Sequence, residues 1–380
     1  MPTLNPHTVT SRPGRKPKLL KTACVGFGYF LLSLYSLSSI ARDTGTLASQ
    51  YTALALQGDV SEANVLFDNL KPPSASDFDR ELAKQYKHRF ILRDEGGQSS
   101  SGFSFIDQLL SVYRLYWTRS MMGELSAGSG SESLDRSLSN IIKYHTDIDI
   151  LNNLHDIKPR LEEMLEQLGF YSDFSFSSPW RDLVLWKSQQ HKSFLIELTD
   201  RQQAVDVVFM DEFLSLGWSE FATLGMTSTG GWAKKDLLYC VSWAWDQTSE
   251  HFQVSFLKHE GRHVADFELF PQMHVIDLEY RAKLTELAFA SSTLPRILKK
   301  FTDNGSANPK SPHAYANFRV SRDLYKALFG SRLPETGNPW LRAGAEKVNR
   351  VARNLLDEHT RLMQKEGALV TSGVIYKQNL

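Results

Sequence analysis

The residues whose spacing carries most chemistry are His259-Glu260-Gly261-Arg262-His263. On a helix, positions i and i+4 share a face one turn apart, so His259 and His263 can aim both imidazoles at one cation. That pair suits a tetrahedral Zn²⁺, with nitrogen ligands at about 2.0–2.1 Å. Glu260 is rotated about 100° round the helix, beside the metal position and not on it. A general base acting on metal-held water belongs there. Chance supplies only about 0.02 such matches in 380 residues with 11 His. The flanking Phe252, Val254, Phe256 and Leu257, with Val264 and Phe267, make this helix mostly apolar. Burying His, Glu and Arg262 in it without a task would be costly.

A catalytic zinc needs a third protein ligand and an open position. The segment Asp277 to Leu287 offers two, Glu279 and Glu286, seven residues apart and so on one helical face. Pro271 provides a turn by which a second helix returns antiparallel to the first. Small Ala282, one turn after Glu279, lets the helices approach, whereas Phe289 follows Glu286. This favours Glu279 and leaves Glu286 as the alternative ligand, or as the hydrogen-bond partner of a zinc histidine. A competing expectation is that either glutamate forms an ion pair with Arg262, Arg281 or Lys283. No CxxC and no further histidine stands near enough to close the site with a fourth ligand, which favours a catalytic metal over a structural one.

The elements that must position these residues follow from periodicity. Residues 42–175 read as helical, most clearly Ile157 to Gly169, where Leu161, Leu165 and Leu168 share a face and Gly169 supplies the stop. Gly58 to Pro73 could form one helical hairpin. From about Pro179 the composition turns β-branched and aromatic: strands are predicted at 183–186, 194–198, 205–210 and 237–241. A helix is predicted to start near Ser249, and helix dominates to the end. The fold class expected is α+β, with a small sheet and the active-site helix in a catalytic domain (176–380) behind a helical N-terminal domain (42–175).

These residues resemble the gluzincin class of zinc metallopeptidases, the thermolysin-like arrangement of His-Glu-x-x-His with a downstream glutamate. Glu279 to Ala282 is similar to the Glu-x-x-Ala pattern that presents the ligand in that class. The resemblance covers roughly residues 180–320 and implies a zincin-like domain, Zn²⁺ as cofactor, His259, His263 and Glu279 as ligands, and Glu260 as general base. It also implies an oxyanion-stabilising His or Tyr, for which His313 and Tyr315 are the candidates. It implies an edge strand holding substrate backbone, for which 237–241 is the candidate. The class often has Asp where this chain has Lys283. No Gly-x-x-His follows at metzincin spacing.

Lys+Arg and Asp+Glu are both 43, so the chain lacks the basic surplus of a nucleic-acid binder. The charge is uneven, however. Arg12, Arg15, Lys16, Lys18 and Lys21 precede any acid, and an apolar run from Ala23 to Ala41 ends in Ser39-Ile40-Ala41. That order reads as a signal peptide over 1–41, or as a membrane anchor if uncleaved; either way the remainder is exported. Cys24 lies inside that run without a lipoprotein pattern, leaving Cys240 alone and no internal disulfide. Leu333-Pro334-Glu335-Thr336-Gly337 matches a sortase motif but lacks the apolar tail, and reads as a turn. The function expected is an exported zinc peptidase acting on peptides or proteins. Its rival is an exported helical binding or scaffold protein with a degenerate metal site.

Overall fold

The computed structural model describes residues 46–70, 75–94, 100–147, 154–177, 179–234, 237–309, 312–334 and 339–366. The segment 1–41 and most of the 333–337 motif lie outside them. Helices α1 (Leu47–Ala55), α2 (Ala63–Asp68), α3 (Asp77–Tyr86), α4 (Ser104–Met121), α5 (Ala127–Thr146) and α6 (Leu154–Gln167) precede the sheet. Local chemistry sets their ends. Ser76 and Asp79 form a reciprocal capping box on α3, Ser126 caps α5, and Gly169 takes φ +79° just after α6. Leu109, Tyr113 and Trp117 of α4 pack with Leu138 and Ile142 of α5 and Leu161 and Leu165 of α6. The same core continues across residue 176 into Leu183 and Leu185 and into Trp218, Phe221 and Ala222 of α7 (Trp218–Ala222).

The sheet has five strands in the order β1-β2-β3-β5-β4. They are β1 (Tyr171–Ser177), β2 (Trp180–Glu197), β3 (Gln202–Leu216), β4 (Gly231–Lys234) and β5 (Leu237–Val241). β3 and β5 are parallel; the other pairs are antiparallel. Segments 183–186 and 194–198, expected as two strands, belong to one 18-residue strand with a register shift at Leu185/Trp186. Polar residues 187–193 interrupt the apolar pattern but keep their backbone ladder to β3, and the ladder decides. β5 is paired on both sides, so the expected edge strand 237–241 is an inner one; the edge beside it is β4. Gly230-Gly231 reads as a turn, yet Gly231 opens that strand. A side chain there would run into the Tyr239 carbonyl and Phe256.

Alternation along β3 divides the sheet's two faces. Val207 and Phe209 point to Phe252, Phe256, Val264 and Ala265, while Val208 and Met210 point to Val184, Trp186 and Trp232. The first face carries the motif helix. α8 (Glu250–Phe252), a π-helical turn (Gln253–Lys258) and α9 (His259–Leu269) run as one segment. α10 (Val275–Phe289) returns after the turn at Pro271, and α11 (Leu294–Asp303), α12 (Pro312–Phe329) and α13 (Ala345–Glu366) enclose it. Thirteen of the 15 residues of α10 are buried, including Asp277, Glu279, Arg281, Lys283 and Glu286. A helix buried on every face must find a partner for each of these charges. Among the described residues no helix is long and apolar enough to cross a membrane.

Candidate metal centre

α9 presents His259 and His263 on one face with ring centroids 4.9 Å apart and planes at 81°. The helix sits close to the β2–β3 hairpin because residue 261 is Gly: a Cβ there would run into Ile196. Arg262, between the two histidines, points the other way and pairs with Asp200 at the hairpin tip. The motif helix is thereby pinned to the sheet on one side while its histidines face α10 on the other.

From α10, Glu279 meets both histidines. Its Oε1 lies 3.4 Å from His263 Nε2 and its Oε2 3.9 Å from His259 Nε2. His259, His263 and Glu279 each offer a ligand atom, and these atoms lie within 4.8 Å of one another. All three side chains are buried, Glu279 and His263 completely. Glu286, two turns on, does not join this set. It accepts a 2.7 Å hydrogen bond from His259 Nδ1. With Nδ1 carrying that proton, Nε2 keeps its lone pair and faces the cluster, the arrangement by which a carboxylate orients a metal-binding imidazole. Of the two candidate glutamates, therefore, Glu279 stands at the ligand position and Glu286 behind it.

Do these residues fit a cation? Both nitrogens of His263, both oxygens of Glu260 and both oxygens of Glu279 are buried without a hydrogen-bond partner. Leaving one such atom unpaired costs about 1–3 kcal/mol, so six in one place is a large deficit. The donor set of two imidazoles and a carboxylate suits a divalent transition metal, whose binding removes the deficit at the ligand atoms. A metal ion can be held here by His259, His263 and Glu279.

The electrostatics fit the same reading. Burial, reinforced by the Glu279 and Glu286 carboxylates, pushes Glu260 well above the usual carboxylate range. Burial also acts on Glu279, but His313 and Lys283 outweigh it and hold that carboxyl well below its usual value. Burial lowers His259, favouring the neutral ring that can ligate.

His313, at the head of α12, brings Nδ1 to 2.8 Å from Glu279 Oε2 and is 40% exposed. Tyr315 departs from expectation. It is 4% exposed within the apolar cluster of α10, α12 and α13, with its ring 6.2 Å from Phe318. Residues two apart on a helix diverge by about 200°, so His313 and Tyr315 cannot both face the centre. Only the histidine is brought to it, and an oxyanion role for Tyr315 is withdrawn.

Sequence reasoning missed the buried network behind the centre. Asp266 of α9 accepts from Arg281 Nε at 2.7 Å and Nη2 at 3.0 Å, and lies 3.4 Å from Arg262. Arg281 also donates to Thr360 Oγ1 at 2.8 Å, and His359 of α13 is 3.0 Å from Asp277. The only advance signal was charge at positions a buried helix should fill with apolar residues. At the other end of the segment, Glu250 accepts from the backbone of Ser291 (2.7 Å), Ser292 and Thr293 (both 3.0 Å) and from both hydroxyls of Ser292 and Thr293. This ties the start of the motif segment to the turn after α10. Comparison of the chain with protein-family models, with curated proteins and with solved structures finds no match.

Proposed function

We propose that this chain is a zinc-dependent peptidase, of gluzincin type, acting on peptide or protein substrates outside the cytoplasm. The observation that carries the reading is the buried Glu260 carboxylate, both oxygens unpaired, one residue along from a His259–His263–Glu279 ligand set. A structural metal site has no use for such a group, whereas hydrolysis needs a base at that position. The chemistry a Zn²⁺ ion supplies when bound is polarisation of a carbonyl and acidification of a water. Glu260 takes the proton from the attacking water at its carboxylate and returns it to the leaving amine. His259 is held in one tautomer by Glu286. His313, half-exposed beside Glu279, donates to the oxyanion that develops on the carbonyl. Edge strand β4 supports an extended substrate, which would add to the sheet next to the motif helix. Export is supported by the order of basic, apolar and small residues over 1–41.

The experiment is Glu260→Gln. The amide is of the same size and cannot accept the proton. The variant is expected to retain zinc stoichiometry and to lose about 10²–10⁴-fold in peptide hydrolysis. Undiminished cleavage by the variant would remove Glu260 from the mechanism and leave the binding-protein reading in its place.

A further inference from the structure

Glu279, Lys283 and Glu286 recur at i, i+4 and i+7, so one face of α10 reads carboxylate, ammonium, carboxylate. All three are buried. Lys283 Nζ lies 3.3 Å from Glu279 Oε2 and 5.2 Å from the centre of the Phe301 ring. The other ion-pair neighbours of Glu279 are histidines: His259, His263 and His313. The first two must be neutral to ligate a cation. Lys300 stands further out and acts on Glu286 ahead of Glu279. Among the described residues, Lys283 is therefore the side chain that brings a fixed positive charge directly to the ligand carboxylate. Without one, a fully buried carboxylate is strongly disfavoured in the metal-free chain.

We propose that Lys283 is an internal counter-cation: it holds Glu279 in the metal-free chain and lowers the affinity of the centre for a divalent cation. Both halves follow from one contact. In the metal-free chain the Lys283 ammonium takes the electrostatic place of the metal, so the helices pack without one. When a cation binds Glu279, the ammonium remains a few ångströms from a second positive charge in a region where water screens little. Loading is thus opposed by the residue that keeps the ligand in place, and the centre folds before it is filled. This inference rests on the metal-centre reading and not on the peptidase reading.

The test titrates Zn²⁺ into metal-free, full-length wild type, Lys283→Met and Lys283→Arg, reading affinity by competition with a chromophoric chelator. Thermal unfolding of each metal-free protein is measured alongside. Methionine keeps the stem against Phe301 and removes the charge. The expected result is zinc affinity raised by about tenfold or more in Lys283→Met, with a lower melting temperature for its metal-free form. Lys283→Arg keeps wild-type values for both. If Lys283→Met folds only with zinc, the proposal stands, since the metal has then replaced the missing charge. If Lys283→Met binds zinc no tighter than wild type, or fails to fold in saturating zinc, the proposal is overturned. An arginine variant that binds as tightly as the methionine variant overturns it as well. Wild type that takes up no zinc brings down the metal-centre reading along with the proposal; unchanged affinity in Lys283→Met brings down the proposal alone.

Discussion

Two clusters of buried charge share α9 and α10, and they are satisfied to opposite degrees. On one side of the helix pair, Asp266 and Arg281 exchange two hydrogen bonds, Arg262 reaches Asp200, and His359 reaches Asp277. On the other side, His263, Glu260 and Glu279 are as deeply buried and have no hydrogen-bond partner. The sequence interleaves the two. Arg262 lies between the ligand histidines, and Arg281 follows Glu279 by two residues. Helical periodicity then sends them to opposite faces. A fully partnered network fixes how two helices sit together. An unpartnered one in the same packing waits for something the chain does not contain. The contrast separates what holds the centre from what works in it.

The sharpest break of this comparison is His263→Ala. The metal reading expects stoichiometric zinc to vanish, by elemental analysis, while the fold survives because no hydrogen bond is lost. A variant that keeps wild-type zinc would place the site elsewhere. Next in size is Arg281→Met, which strips Asp266 of its main partner. Removing one member of a buried ion pair costs about 3–5 kcal/mol, so denaturant unfolding should move far more than in His263→Ala. Equal stability losses in the two variants would erase the distinction between the clusters.

Glu286→Ala sharpens the boundary between them. Its carboxylate touches His259 and not the ligand position, so zinc affinity should fall about 10–100-fold. Glu279→Ala should abolish stoichiometric binding. The reverse order would exchange the two assignments.

The smallest expected effect concerns Glu250. Slight burial works against its ionised form, but hydrogen bonds from Thr293, Ser291 and Ser292 outweigh it and bring the pKa down to about 2. A depressed folded-state value stabilises the fold above the unfolded pKa, and that stability is lost as pH falls from about 4.5 toward 2. Glu250→Gln should therefore be less stable at pH 7 by about 1–2 kcal/mol, allowing for solvent screening. The gap to wild type should close on acidification, as read by urea unfolding at several pH values. A gap independent of pH would mean that the carboxylate's charge is not what anchors the turn.

Much of the centre was legible before any coordinates. The spacing of His259, Glu260 and His263 is local, and a helix converts it to geometry with no further information. The turn at Pro271 and the helix start at Ser249 are local signals too, and both stand. Small Ala282 favoured Glu279, and that residue faces the histidines. What failed was non-local. The ladder to β3 merges two apolar runs of β2 into one strand, although polar residues separate them. The edge position passed from 237–241 to Gly231–Lys234 because strand order depends on partners distant in sequence.

The sequence by itself determined which groups could bind a cation and which could act as base, because helical spacing is set by backbone geometry alone. Tertiary structure alone decided how the carboxylates divide their work. Glu279 and Glu286 share a face of α10, and only the docking of α9 against it sends one to the ligand position and the other to His259 Nδ1. The same docking turned Arg262, Asp266 and Arg281 from anomalous charges into the bolt between the helices. It also set Lys283 against the ligand carboxylate. Periodicity says which side chains share a face; what that face meets is decided by chain from elsewhere.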